Sequence, residues 1–152
     1  MIITLDSNVL LSIFSKDTLY ESSSLLMEKY NTHEYIINEC IYLELGVHFP
    51  NLEKFDESLS ILEVSVFRKH EIDFEVTVTA WRNYLKKKRF VCPFCRKAIS
   101  PVCPECQHTL AFRQRVLADF LIAGFALANS DGIITLDPTY YQNYFPQLAI
   151  FD

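Results

Sequence analysis

Four acids of this chain stand where a strand-and-helix fold could gather them around a cation. Asp6 ends the apolar run Ile2-Ile3-Thr4-Leu5 and is followed by Ser7, Asn8 and the apolar stretch from Val9 to Phe14. Glu44 falls just over one turn into a predicted helix, Asp119 lies in a long apolar helix, and Asp137 directly follows the strand-like Ile133-Ile134-Thr135. Acids at the carboxyl ends of buried strands occupy the rim where open α/β sheets bind their ligands. Two unit charges ~4 Å apart repel by about 4 kcal/mol at an effective dielectric near ~20. A cluster of acids therefore needs a cation, or some of them stay protonated. All-oxygen ligands favour Mg²⁺ or Mn²⁺. Such an ion can lower the pKa of a bound water and position it against a phosphodiester.

Each acid also has a bland reading. Asp6, Ser7 or Asn8 could simply cap the following helix. Asp137 precedes Pro138 and could open a turn. Glu44 could be a solvated helix residue. Asp119 sits in Leu117-Ala118-Asp119-Phe120-Leu121-Ile122-Ala123, where an unpaired charge is costly, but Arg115 is four residues before it and could pair with it. Glu39 is explained by the dipole of a helix first turn, and Asp131 by the Asp131-Gly132 turn.

A second set of ligand-type residues has a different chemistry. Cys92-Pro-Phe-Cys95 and Cys103-Pro-Glu-Cys106 are two Cys-x-x-Cys knuckles. Each knuckle lets two thiolates reach one ion, and two of them complete a tetrahedral sulfur shell. Soft thiolates select zinc, and a closed four-sulfur site is structural. The loop is too small to bury a core, so metal would have to fold it. The competing reading is a thiol redox pair, though such motifs normally occur singly at a strand-to-helix junction. Cys40, alone in a helix, reads as a small buried residue.

The chain has 152 residues and a net charge of −5. The average hides a division. Arg82, Lys86, Lys87, Lys88, Arg89, Arg96, Lys97, Arg113 and Arg115 share their stretch with one acid, Glu105, a net +8, while the remainder carries −13. One segment could therefore face a polyanion such as RNA, the alternative being a solvated basic helix end. Half the residues are hydrophobic, which excludes a disordered chain. No apolar run reaches the ~20 residues of a membrane span, and the N-terminus lacks a basic start and a small-residue cleavage site. The expectation is a cytoplasmic protein with no membrane partner, its cysteines being thiols or metal ligands.

The elements that must position these groups alternate. Strands are predicted at 2–5, 34–37, 62–66, 133–135 and 148–151. Helices are predicted from Val9, over 19–30, from Asn38 to about Phe49, over 52–58, over 74–89, over 110–129 and over 139–144. Asn38 is the expected cap of the third helix. Alternation of this kind implies a mostly parallel sheet covered by helices on both faces. Residues 1–152 read as a single domain, with residues 90–110 inserted in it.

The chain resembles PIN-domain ribonucleases, most of all the VapC-type toxins of bacterial and archaeal toxin–antitoxin pairs. The resemblance is carried by Leu5-Asp6-Ser7-Asn8-Val9-Leu10, Glu44-Leu45, Ala118-Asp119-Phe120-Leu121-Ile122-Ala123, Ile134-Thr135-Leu136-Asp137 and the aromatic end Tyr144-Phe145-Pro146. It spans nearly the whole chain apart from residues ~90–110, and rests on the order and spacing of short motifs. It implies a three-layer α/β/α sandwich, a Mg²⁺ or Mn²⁺ site built from Asp6, Glu44, Asp119 and Asp137, and support of that site by Asn8 and Thr135. It further implies hydrolytic cleavage of RNA by a metal-activated water, with an antitoxin and a second copy of the chain as expected partners. The cysteine insertion departs from the compact toxins, which have a short connection there.

Two other readings remain. The first is a non-catalytic PIN-like RNA- or protein-binding module stabilised by zinc. The second is an aspartyl phosphotransferase of the haloacid-dehalogenase kind, which wants an acid two residues after the nucleophile, where this chain has Asn8.

Overall fold

The computed structural model describes residues 1–68, 71–87, 90–92, 94–109 and 117–151. Its main sheet has five strands: β1 (Ile2–Leu5), β2 (Glu34–Ile37), β3 (Val64–Val66), β6 (Gly132–Ile134) and β7 (Ile150–Phe151). They lie in the order β3-β2-β1-β6-β7, and all four pairings are parallel. A separate antiparallel pair, β4 (Phe90–Val91) and β5 (Ala98–Ile99), lies in the cysteine segment. Ile3, Leu5, Ile36, Ile37, Ile133 and Ile134 are fully buried. Continuous apolar runs of this kind are what a parallel sheet covered on both faces requires.

The helices are α1 (Ser7–Ser15), α2 (Tyr20–Lys29), α3 (Glu39–Gly46), α4 (Leu52–Ile61), α5 (Phe74–Lys87), α6 (Leu117–Asn129) and α7 (Pro138–Tyr144). The chain steps from β1 to β2 to β3 in one direction, then crosses back over β1 to β6 and β7. Right-handed crossovers therefore put α1–α4 on one face and α5–α7 on the other. Within each group α1 meets α2 and α3, and α5 meets α6 and α7, while α3 also reaches α6. This is the expected α/β/α sandwich. Among the described residues, no helix is long and apolar enough to cross a membrane.

Several boundaries differ from the sequence expectation for local reasons. The third strand starts at Val64, because Glu63 takes a left-handed φ of 56° and cannot extend it. The helix before it runs to Ile61, past the expected Ser58, because Phe55 and Leu59 bury one turn apart on the same face. Asn38 caps α3 as expected, its Oδ1 accepting from the Ile41 amide at 3.0 Å. The predicted start of the long helix at Leu110 lies outside the described residues. Leu117 at the start of α6 is exposed, but Phe120 and every residue from Ile122 to Ala126 are buried. Gly124 makes this possible: a Cβ there would collide with Thr77 Oγ1, and its carbonyl accepts from the Asp73 amide at 3.2 Å, tying the start of α5 to α6.

Candidate active site

The sheet reverses direction between β1 and β6, so a crevice is expected at their carboxyl ends. Asp6 follows β1 and Thr135 follows β6. The Asp6 amide donates to the Ile134 carbonyl at 3.0 Å, which holds the two strand ends side by side. Thr135 was expected as the last strand residue. It lies one step beyond β6, and its hydroxyl turns across to Asp6 Oδ2 at 2.7 Å.

The Asp6 carboxylate is 5% exposed and hydrogen-bonded on both oxygens. Oδ1 accepts from the Ser7 amide at 2.8 Å. Oδ2 accepts from Thr135 and from Asn8 Nδ2, the latter at 2.8 Å. The Tyr141 hydroxyl, on α7, also bonds to this carboxylate. Asn8 crosses the crevice: its Nδ2 reaches Thr135 Oγ1 at 3.2 Å, and its Oδ1 accepts from the Leu136 amide at 3.1 Å. Thr135 Oγ1 also accepts from the Asp137 amide at 3.0 Å. Asp6 is thus the N-cap of α1 through Oδ1 and still keeps Oδ2 turned toward the end of β6.

Burial dominates the electrostatics. It pushes the Asp6 carboxyl from 3.8 up to about 6, against the lowering effect of the Thr135 and Tyr141 hydroxyls and the Ser7 amide. The negative charge of Asp119 pushes it up further. Burial, and the charges of Asp6 and Asp119, also hold the Tyr141 hydroxyl well above its ordinary value. Asp6 and Asp119, 113 positions apart in the sequence, thus act on one crevice.

Glu44 and Asp137 are half-buried on adjoining elements. Glu44 lies on α3, which packs against α6, and its charge acts on Cys40. Asp137 precedes α7 and has no side-chain capping bond to that helix. Among the described residues, no three His, Cys, Asp or Glu side chains form a group able to hold a metal ion. The donors nevertheless suit a divalent cation. Asp6 and Asp119 offer only oxygen donors, the kind that Mg²⁺ and Mn²⁺ take. Four hydrogen-bond donors leave the Asp6 pKa still raised, and a cation would relieve that charge.

Tyr141 was not legible as a site residue. The only signal was its place one turn after Asp137-Pro138, in a helix that buries tyrosines needing hydroxyl partners.

The cysteine segment contains two hairpins closed by the same pair of backbone hydrogen bonds. In the first, the Cys92 amide donates to the Lys97 carbonyl and the Arg96 amide to the Cys92 carbonyl, both at 2.9 Å. In the second, Cys103 and His108, then Gln107 and Cys103, repeat both bonds at 2.9 Å. Arg96 and Gln107 share a left-handed φ of 59°. The Cys92 thiol is held below its ordinary value by the Cys95 and Phe94 amides, and the Cys103 thiol by the Cys106 and Glu105 amides. All five cysteines are free of disulfides. Of the basic residues, Lys86, Arg96 and Lys97 are exposed. Lys88, Arg89, Arg113 and Arg115 lie outside the described residues, as does the side chain of Lys87.

No protein-family model matches the sequence, and no curated protein matches it. Solved structures do. A chain of VapBC-1 from nontypeable Haemophilus influenzae superposes with a TM-score of 0.63 at 17% identity, over 100% of this chain and 98% of that one. A chain of VapBC2 from Rickettsia felis, bound to a DNA fragment from its promoter, superposes with a TM-score of 0.58 at 16% identity, over 99% and 97%. The parallel sheet, the crossover back past β1 and the overlap along nearly all of both chains give this protein a PIN-like fold of the VapC type.

Proposed function

We propose that the chain is a metal-dependent endoribonuclease that hydrolyses RNA phosphodiesters at the Asp6 crevice, and that it is the toxin of a toxin–antitoxin pair. The observation that supports this most is the buried Asp6 carboxylate at the switch point of the sheet, oriented by Thr135, Asn8 and Tyr141 and sharing its crevice with the charge of Asp119. Asp6 and Asp119 would hold Mg²⁺ or Mn²⁺, with Glu44 and Asp137 completing the ligand set from α3 and the β6–α7 junction. That ion would supply charge neutralisation at the phosphodiester and an acidified water. The chain's own residues do the positioning. Thr135 and Tyr141 fix the Asp6 carboxylate from two sides, and Asn8 locks α1 to the end of β6. Lys86, Lys87, Lys88, Arg89, Arg96, Lys97, Arg113 and Arg115 would hold the RNA backbone. The likeness to chains of VapBC structures supports an antitoxin partner.

The four cysteines fit a structural zinc ion. Two hairpins with matched hydrogen bonds, each with amides aimed at a thiol sulfur, support this, and the ion would draw the two halves into one four-sulfur site. A second reading, a non-catalytic RNA- or protein-binding module, is favoured by one observation: no three acids converge among the described residues.

Cleavage of a broad RNA panel with Mg²⁺ or Mn²⁺ decides between them. The nuclease reading expects metal-dependent cleavage that Asp6→Asn and Asp119→Asn both lose. If wild type shows no such activity on any RNA, the binding module stands.

A further inference from the structure

The two cysteine hairpins share a backbone but not a surface. Residue by residue, Cys92-Pro93-Phe94-Cys95-Arg96-Lys97 corresponds to Cys103-Pro104-Glu105-Cys106-Gln107-His108. At the matched tip positions stand Phe94 and Glu105, and at the two positions after the second cysteine stand Arg96-Lys97 and Gln107-His108. The shared geometry accounts for the cysteines and for the left-handed residues. It does not account for these differences, because residues as unlike as arginine and glutamine adopt the same φ.

Phe94 is 95% exposed. A lone exposed apolar residue is ordinary and needs no explanation. This one shares a six-residue hairpin with two exposed cations, within the basic stretch of an otherwise acidic chain. An aromatic face offered to solvent beside positive charge is the chemistry that takes single-stranded nucleic acid: bases stack on the ring, and phosphates meet the cations. Ile99 and Val102 nearby in the chain are 41% and 47% exposed, but the core of a protein interface is depleted of charge, whereas Phe94 shares its hairpin with Arg96 and Lys97.

We infer that the first cysteine hairpin is a contact site for single-stranded RNA, with Phe94 as the stacking platform and Arg96 and Lys97 as phosphate contacts, while the second hairpin only supplies metal ligands. The inference rests on the nuclease reading for its choice of RNA, and it assigns to that reading an unpaired substrate strand. The hairpin lies within the basic segment and would bind the strand without taking part in the chemistry.

The test measures fluorescence anisotropy of a labelled single-stranded RNA with the full-length, zinc-loaded chain. No Mg²⁺, Mn²⁺ or chelator is added, and the RNA is checked to be intact afterwards. Phe94→Ala should weaken binding about 10-fold, the lower part of the range for base–aromatic stacking. Binding of a base-free ribose-phosphate strand of equal length should not change. Phe94→Trp should restore RNA binding, and its indole should be quenched by RNA. Trp81, the one native tryptophan, provides the background signal. Glu105→Ala, the matched change in the second hairpin, should not weaken binding. Arg96→Ala with Lys97→Ala should weaken both strands and flatten the salt dependence. Equal zinc content in every variant confirms that the hairpins remain formed. Unchanged RNA affinity in Phe94→Ala overturns the inference. So does equal weakening on the base-free strand, or a loss confined to binding of a protein partner. Failure of cleavage with stacking intact would count against the nuclease reading alone.

Discussion

Asp6 is 5% exposed and takes hydrogen bonds from α1, from the end of β6 and from α7, whereas Phe94 is 95% exposed on a hairpin whose described hydrogen bonds are internal to it. The first region is held by the whole fold. Its strand ends are locked by sheet pairing, and the cost of burying a charge falls on a core large enough to absorb it. The second region has almost no core. Its two halves are preformed, down to a left-handed residue in each, but nothing described in the fold presses them together. One region is made by tertiary packing, and the other by hydrogen bonds within each short hairpin.

The largest expected effect lies at Asp6. Asp6→Asn should lower metal-dependent cleavage by about 10²–10³-fold, the range for losing a preorganised electrostatic group. It should leave the zinc content and the cysteine hairpins intact. If zinc content falls with it, the two regions are not independently held.

Next is a pH effect on stability. The Asp6 carboxyl rises from 3.8 to about 6 on folding, so the folded chain binds this proton more tightly than the unfolded one. Its favourable contribution is fully present below about pH 4 and is lost as pH climbs to about 6, on the order of 3 kcal/mol in all. Urea titrations across this window should show wild type losing stability relative to Asp6→Asn. Added Mg²⁺ should return that stability to wild type and not to the variant. Parallel pH profiles for the two proteins would remove the buried-charge account.

A smaller effect is expected at Tyr141. Tyr141→Phe removes one donor to a carboxylate while keeping the ring packed, and should reduce cleavage about 10-fold. The pH window of the Asp6 effect should shift upward, because a lowering influence is lost. A rate equal to wild type would leave Tyr141 as packing alone.

The smallest effect should come from disturbing the insertion. Cys103→Ser should abolish binding of about one zinc per chain, read by metal analysis and by the visible spectrum of the cobalt-loaded protein. Proteolysis should then open the chain near residues 90–110. The thermal midpoint of the sheet and its response to Mg²⁺ should hardly move. A large drop in that midpoint would show that the insertion braces the core, and the contrast between the two regions would fail.

Much of the crevice was legible in the chain. Strand periodicity placed Asp6 at the end of a buried run, while the supporting places of Asn8 and Thr135 came from the resemblance to PIN-domain chains; the structure shows all three joined by hydrogen bonds. Tyr141 was not legible, because its hydroxyl meets Asp6 only after α7 folds back onto β1. Nor was the late start of β3 at Val64, where the left-handed backbone of Glu63 overrides an alternating pattern.

By itself, then, the amino-acid sequence determined the order of strands and helices, the division of charge and the placing of acids near strand ends and of paired cysteines in the insertion. These follow from residue type and spacing over a few positions. The tertiary structure alone decided that β1 lies between β2 and β6, that Asp6 and Asp119 share a crevice, and that Tyr141 closes onto it. It also showed that two matched hairpins present unlike faces to solvent. Those facts depend on distances between residues far apart in the chain, which are settled only when the apolar faces of the helices are buried against both sides of the sheet.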